Sequence, residues 1–182
     1  FIFYKLNMMR SLAPVVFFAY NRPDHTRQVL ESLYRNKYAD ECSLWIYVDG
    51  PKAGASEETR SAIAEVKKAV REKKWCKEVT IIEAEVNKGL VRSTTEGVTK
   101  LVNEFGKVIV MEDDNLVSPG FLTYMNDALD LYEHSPRVMH ISAYVRPDLA
   151  TDAVKESTFF FYHTTTWGWG TWKRAWDKFT PD

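Results

Sequence analysis

Short, strongly apolar runs alternate along this chain with longer segments whose apolar residues recur every three or four positions. The short runs have the length of β-strands, and the longer segments have the period of amphipathic helices. This alternation is typical of βαβ units arranged around a mostly parallel sheet. Because 45% of the 182 residues are apolar and 27% are charged, the chain can bury the core of one globular domain. The sequence therefore predicts an α/β fold.

Four apolar runs are predicted to form parallel strands, at residues 14–19, 44–48, 79–84 and 107–111. The first is nearly continuous in apolar residues, as expected of a strand buried on both faces. Helices are predicted to follow the strands, with Asp24, Ser56 and Ser118 as N-caps and Pro119 at the first position of the last one. Two further strands are predicted at 138–143 and 158–162. A final helix is predicted to carry on one face Trp172, Ala175, Trp176 and Phe179.

The two ends of the chain depart from this pattern. We interpret residues 1–10 as an N-terminal extension, either vector-derived or the remnant of an upstream segment, and residues 11–182 as the domain. An apolar, aromatic helix pattern comes just before Pro181-Asp182, which leads us to expect that a longer protein continues beyond it.

Charge, cysteine content and hydropathy narrow the class of protein. A formal net charge of −1 provides no basic field that would bind nucleic acid. The two cysteines, Cys42 and Cys76, have neither a metal-ligand spacing nor a disulfide pattern, so we expect reduced, structural thiols. No apolar stretch approaches the roughly 20 residues of a membrane helix. These features favour a cytoplasmic protein, peripheral to the inner face of the membrane at most, and they leave its oligomeric state open.

Three adjacent acids, Glu112-Asp113-Asp114, directly follow the fourth apolar run. Neighbouring carboxylates at the end of a buried strand are costly unless a cation neutralises them. Carboxylate oxygens suit Mg²⁺ and Mn²⁺, and these ions commonly bind substrate phosphates at the same time. We therefore interpret the triplet as a candidate site for a divalent cation and a diphosphate. The alternative is a solvated turn that caps the next helix.

Polar residues also follow the other predicted parallel strands. Asn21 and Arg22 follow the first strand, Asp49 follows the second, and Lys88 follows the third. Because ligands of open α/β sheets bind outside the carboxyl ends of the strands, we expect these residues to share one site with the acids. The Asp49 carboxylate could accept a hydrogen bond from the imide N–H of uracil, which cytosine lacks.

Gly89 and Arg92 could bring a backbone N–H and a guanidinium group toward phosphates. Each of these polar residues has a plainer alternative, since turns and surface ion pairs use the same residue types.

Tryptophan and glycine alternate at residues 167–172, the most unusual composition in the chain. Indole rings commonly pack on the C–H faces of sugars, so Trp167, Gly168 and Trp169 are the candidate sugar or acceptor wall. Trp172 and Trp176 are predicted to belong to the core. His140 and His163 lie on or near predicted strands, where a lone histidine usually serves packing.

Five motifs, in this order, resemble those of bacterial sugar transferases with the GT-A fold, a Rossmann-like α/β/α sandwich in three layers. The region from Val108 to about Ala143 is also similar to the N-acetylglucosaminyltransferase I family, in which Glu-Asp-Asp replaces the usual DXD motif. The motifs are Pro14–Pro23, Tyr47–Gly50, Asn87–Gly89, Met111–Asp114 and Trp167–Gly170.

The resemblance implies an inverting hexosyltransferase that uses a UDP-sugar donor, Mn²⁺ (or Mg²⁺) and a carbohydrate or lipid-linked carbohydrate acceptor, in a setting of surface polysaccharide synthesis. It implies that Asp114 ligates the metal, with Asp113 and Glu112 facing the ribose and the donor sugar. It also implies that Arg22 and Asp49 hold the nucleotide. The full set of predicted donor-binding residues is Ala19, Tyr20, Asn21, Arg22, Asp49, Lys88, Gly89, Arg92, Glu112 and Asp113.

One departure from the N-acetylglucosaminyltransferase pattern concerns the catalytic base. That family places an aspartate a few residues before the Gly-x-Gly segment, where this chain has His163-Thr164-Thr165-Thr166. The base is therefore either His163 or a residue elsewhere, including beyond Asp182.

Two other classes remain as alternatives. A nucleotidyltransferase can share the fold, but it would be expected to have a phosphate loop rich in glycine and lysine after the first strand, where this chain has Tyr20-Asn21-Arg22-Pro23. A nucleotide- or carbohydrate-binding module, truncated or inactive as a transferase, would bind the same ligands without turnover.

Overall fold

A computed structural model describes residues 11–145, 156 and 158–180 of the protein. It is an α/β fold whose strands form one six-stranded sheet in the order β3-β2-β1-β4-β6-β5. Strands β1 to β4 are parallel, and β6 runs antiparallel to both β4 and β5. The elements are β1 (Val15–Ala19), α1 (Pro23–Tyr34), β2 (Ser43–Val48), α2 (Glu57–Ala69), β3 (Glu78–Glu83), α3 (Leu90–Phe105), β4 (Lys107–Glu112), α4 (Phe121–Leu131), β5 (Ile141–Ser142), β6 (Trp169–Trp172) and α5 (Lys173–Trp176).

Helices cover both faces of the sheet, which gives the three layers that the sequence predicts. Every residue of β1 is buried, because alternate side chains enter two different cores. Phe17 packs in the core that contains residues of α1, α2 and α4, whereas Phe18 packs in the core formed with α3. The predicted mostly parallel α/β/α architecture is therefore confirmed.

The boundaries of the first four strands agree with the sequence to within one residue, and two of the three predicted N-caps are wrong. Ser56 accepts a hydrogen bond from the backbone N–H of Thr59 and caps α2 as predicted. Helix α1 begins one residue before Asp24, which leaves that residue in the first turn, paired with Arg27.

Helix α4 begins later than the sequence predicts, and its first turn is capped by a residue that is distant in sequence. The helix begins at Phe121, not at Ser118-Pro119. The buried side chain of Asn36 accepts the N–H of Leu122 at 3.0 Å and donates to the carbonyl of Ser118 at 3.0 Å. Because Asn36 satisfies a free N–H of the first helical turn, the cap comes from another element.

The predictions for the last third of the chain are the least accurate. Strand β5 has two residues where residues 138–143 were predicted, and residues 158–162 are exposed and lie outside the sheet. Strand β6 takes the place beside β4, and Trp172 is its last residue instead of part of a helix. The predicted extension, residues 1–10, and the end at 181–182 lie outside the described residues. None of the described helices is long and apolar enough to cross a bilayer.

Candidate functional site

The order of the strands creates a switch point between β1 and β4. From β1 the chain adds β2 and β3 on one side, and β4 then joins β1 on the other side. The carboxyl ends of β1 and β4 therefore lie side by side at this switch point, where open α/β sheets usually bind a ligand, and we call the space above them the crevice. Arg22 follows β1, and Asp113 and Asp114 follow β4, so the structure brings these predicted site residues together at this crevice.

Arg22 faces both aspartates across the crevice. Its Nη2 lies 2.8 Å from Oδ1 of Asp113, and its Nη1 lies 3.7 Å from Oδ2 of Asp114. The Asp113 side chain is 5% exposed, whereas those of Asp114 and Arg22 are 38% and 48% exposed. Oδ2 of Asp113 is buried and has no hydrogen-bond partner. A buried carboxylate oxygen without a donor is unusual and indicates a place for a cation or for another donor.

The acids carry more negative charge than Arg22 neutralises. Burial raises the pKa of Asp113 above its ordinary value, and the Arg22 guanidinium opposes that shift only in part. Burial is also the largest cause of the raised pKa of Glu112, and repulsion from Asp114 and Asp113 raises this pKa further. Both shifts show that the carboxylates disfavour their full charge in the absence of a further cation.

The chemistry of this cluster fits a divalent metal that is shared with a substrate. Asp113 and Asp114 offer the hard carboxylate oxygens that Mg²⁺ and Mn²⁺ prefer, including the partnerless Oδ2. Within residues 11–145 and 158–180, no three His, Cys, Asp or Glu side chains converge into a ready metal cage. A metal bound here would therefore complete its shell with water and ligand oxygens, as Mg²⁺ does in phosphate sites.

Asp49 organises the loop between β3 and α3. Its Oδ1 accepts the N–H groups of Gly50 and Lys88, both at 2.8 Å. Its Oδ2 accepts the N–H of Gly89 and the Nδ2 of Asn87, both at 2.9 Å. A carboxylate has about four lone-pair positions, so the Asp49 carboxylate is already saturated. In the structure Asp49 therefore clamps this loop, a role that the sequence did not predict. Its contact with uracil stays a prediction.

The clamp brings predicted phosphate-binding groups to the start of α3. Gly89 is the N-cap, with φ of 78°, a conformation that favours glycine. Lys88 and Arg92 both pair with Glu96, at 2.6 and 2.7 Å. These three side chains carry one net positive charge near the N-terminus of α3, where the helix dipole also favours an anion.

Gly50 lets the loops after β2 and β3 approach closely. A Cβ at Gly50 would lie 2.6–2.8 Å from backbone atoms of Val86 and Ala84. We therefore expect Gly50→Ala to lower the free energy of unfolding by about 2 kcal/mol, because backbone must move to admit the methyl group. Gly120→Ala is the control, since no atom lies within 4 Å of its Cβ position. Urea denaturation compares the two, and equal losses would contradict the close approach at Gly50.

The tryptophan-glycine segment divides into an exposed and a buried part. Trp167 is 52% exposed and its ring lies 4.6 Å from that of Tyr144. Trp169 is 7% exposed and stacks on His140 at 5.2 Å, so its ring lies in the core, and its place in a sugar or acceptor wall stays a prediction. Alternation along β6 turns this ring toward α3 and α5, away from solvent. Gly168, with φ of 66°, makes the turn between the two tryptophans.

The two histidines lie in different surroundings. His140 is half-buried, its Nε2 lies 3.0 Å from the carbonyl of Thr165, and burial lowers its pKa. His163 is exposed and its ring contacts that of Phe161 at 5.3 Å. The structure therefore places His163 outside the core that its sequence position suggested, and its role as a base stays a prediction.

The remaining predicted donor-binding residues lie in the connection from β1 to α1. Ala19 is the last residue of β1, and its carbonyl accepts the N–H of Asp49 at 3.0 Å. Tyr20 and Asn21 are half-buried in the turn that follows. Sequence analysis missed Asn115, a buried amide beside the acids. Its only sequence signal is an amide-bearing residue directly after Asp113-Asp114.

A mostly parallel sheet with helices on both faces and an acid-rich loop at its switch point is the GT-A architecture, which defines the fold class of this domain. The chain belongs to glycosyl transferase family 2, whose pattern matches residues 15–173. The match confirms the predicted glycosyltransferase class, whereas the narrower resemblance to N-acetylglucosaminyltransferase I stays a prediction.

Solved structures similar to this chain include a crystal structure of S. aureus TarS, with a TM-score of 0.46 and 14% identity over 67% of this chain. A structure of residues 1–349 of TarS gives a TM-score of 0.44 and 13% identity, again over 67% of this chain. The chain covers 20% and 33% of those two chains. No curated protein matches this sequence.

Proposed function

We propose that this domain binds a UDP-sugar together with Mn²⁺ or Mg²⁺ and transfers the sugar, with inversion, to a hydroxyl of a carbohydrate or lipid-linked carbohydrate acceptor. The observation that carries the proposal is the pair of aspartates opposite Arg22 at the switch point. Asp113 has a buried carboxylate oxygen without a partner there, and Asp114 is open to solvent. The membership in glycosyl transferase family 2 supports a nucleotide-sugar donor.

The residues of this site have separable tasks in such a transfer. Asp113 and Asp114 would hold the metal, which supplies Lewis-acid stabilisation of a diphosphate leaving group. Arg22 adds fixed positive charge beside the same acids, and Lys88 and Arg92 add more at the start of α3. Preorganised charge of this kind stabilises the negative charge that develops as the donor bond breaks.

An acceptor hydroxyl must lose its proton as it attacks the anomeric carbon on the face opposite UDP. His163 is the candidate base, and the alternative is a residue elsewhere in the protein. Trp167 and Tyr144 form an aromatic pair near the loop of the acids, since Asn115 joins that loop to Gly168 at 3.1 Å. This pair is the candidate wall for a sugar ring.

Isothermal titration of UDP with and without Mn²⁺ tests the donor site. We expect Mn²⁺ to tighten UDP binding at least about tenfold, which corresponds to about 1.4 kcal/mol. CDP, GDP and ADP serve as comparison ligands and are expected to bind more weakly. Binding of UDP that does not depend on a divalent cation would overturn the metal assignment.

A turnover assay with several UDP-sugars separates a transferase from a binding module. Release of UDP in the presence of Mn²⁺, as donor hydrolysis or transfer, supports an active enzyme. Tight Mn²⁺-dependent binding with no UDP release from any donor would instead favour the binding module. A parallel assay with UTP and sugar 1-phosphates tests the nucleotidyltransferase, which would release pyrophosphate from UTP.

A further inference from the structure

Asn115 joins three parts of the site through one buried side chain. Its Oδ1 accepts the backbone N–H of Glu112 at 2.9 Å and that of Gly168 at 3.1 Å. Its Nδ2 donates to Oδ1 of Asp114 at 2.8 Å. The residue is 6% exposed, so water does not compete freely for these bonds. One amide thus contacts the end of β4, the entry to β6 and the exposed acid.

The two backbone contacts fix which way the amide points. Both N–H groups require an acceptor, so Oδ1 must face Glu112 and Gly168 and Nδ2 must face Asp114. The backbone N–H of Asn115 also donates to the carbonyl of Glu112 at 3.1 Å, which closes the turn of the acids. The donor that meets Asp114 is therefore held in place by contacts that do not involve Asp114.

We propose that Asn115 is a positioning residue that orients the Asp114 carboxylate for the cation and couples this orientation to the entry of β6. Because Oδ1 of Asp114 is held by Asn115, Oδ2 is the oxygen turned toward Arg22 and the crevice. The bond to Gly168 fixes the position of the backbone next to Trp167. The same amide therefore holds both the Asp114 carboxylate and the backbone that carries the exposed indole ring. The claim that Asp114 is oriented for a cation rests on the proposed function. The geometric half of the inference, that Asn115 positions Asp114 and Gly168, does not.

Asn115→Asp is the most selective variant, because it keeps the size of the side chain and the oxygen that accepts both backbone N–H groups. It removes only the donor to Asp114 and places a carboxylate oxygen against that acid. Asn115→Ala removes all three contacts. Asn126→Ala is the matched control, since Asn126 is also buried and its side chain bonds to Ala13 and Leu122 instead of to the acids.

Titration of Mn²⁺ and UDP is expected to give an affinity about tenfold weaker for both Asn115 variants and unchanged for Asn126→Ala. The control is nevertheless expected to lower Tm, because it also removes buried hydrogen bonds. Affinity is expressed per folded protein, with folding checked by circular dichroism. Unchanged or tighter binding in Asn115→Asp would overturn the orienting role.

Crystal structures of the Asn115 variants decide the geometric half without any ligand. We expect the Asp114 carboxylate to turn away from residue 115 in Asn115→Asp, and the backbone at Gly168 to shift in Asn115→Ala. Unmoved residues in both variants would overturn the inference. If the natural protein shows no Mn²⁺-dependent UDP binding, the proposed function fails, and these structures still decide whether Asn115 positions Asp114.

Discussion

Asp114→Asn is expected to weaken Mn²⁺-dependent UDP binding by about a hundredfold, or about 2.7 kcal/mol. The substitution keeps the shape of the side chain and removes the charge of the most exposed acid in the crevice. An amide offers one neutral oxygen where the cation would otherwise meet a carboxylate, and hard divalent ions prefer the charged ligand. We expect the transfer rate to fall at least as much, because the carboxylate would hold the cation that stabilises the leaving diphosphate in the proposed reaction.

The stability of this variant is expected to stay within about 1 kcal/mol of that of the natural protein, since Asp114 is 38% exposed and its pair with Arg22 spans 3.7 Å. Asp40→Asn is the matched control. Asp40 is an exposed aspartate that precedes β2, so it lies near the amino-terminal end of the strands, whereas the acids lie at the carboxyl end. It should change neither affinity nor Tm. Full Mn²⁺-dependent binding by Asp114→Asn would contradict the assignment of Asp114 as the metal ligand.

The positions of the polar residues at the strand ends could be predicted from the sequence, but their arrangement could not. Apolar runs of strand length locate Arg22, Asp49 and the acids at the same edge of a parallel sheet. Which strands are neighbours depends on the crossover after α3, which places β4 beside β1. The position of β4 beside β1 creates the switch point and brings Arg22 to Asp113. No local sequence pattern encodes this order of the strands.

Two of the features that the sequence did not predict share one physical cause, which is the satisfaction of polar groups by residues distant in sequence. Asn36 caps α4 from the turn after α1, so the helix begins after Ser118-Pro119. Asn115 reaches Gly168 across 53 positions in sequence and draws the tryptophan segment toward the acids. Burial of Trp169 follows from antiparallel pairing of β6 with β4, whereas the sequence showed only an aromatic run.

Asp49→Asn is expected to lower the free energy of unfolding by about 3 kcal/mol, because it removes a charged acceptor that holds four N–H groups. An asparagine oxygen can accept at most two of these bonds, and its NH₂ group would then face other donors. For a domain of this size we expect Tm to fall by roughly 10 °C. The loop with Lys88 and Gly89 would lose its fixed position at the start of α3.

Titration with UDP and CDP separates this clamp from direct recognition of the base. If Asp49 acts through the loop, Asp49→Asn should weaken the binding of both nucleotides by a similar factor, since the displaced groups are those proposed to contact the phosphates that both share. If Asp49 instead contacts only the imide of uracil, UDP binding should fall while CDP binding is kept or improved, and Tm should hardly change. Four hydrogen bonds of 2.8–2.9 Å on one carboxylate favour the first outcome. An unchanged Tm would contradict the clamp.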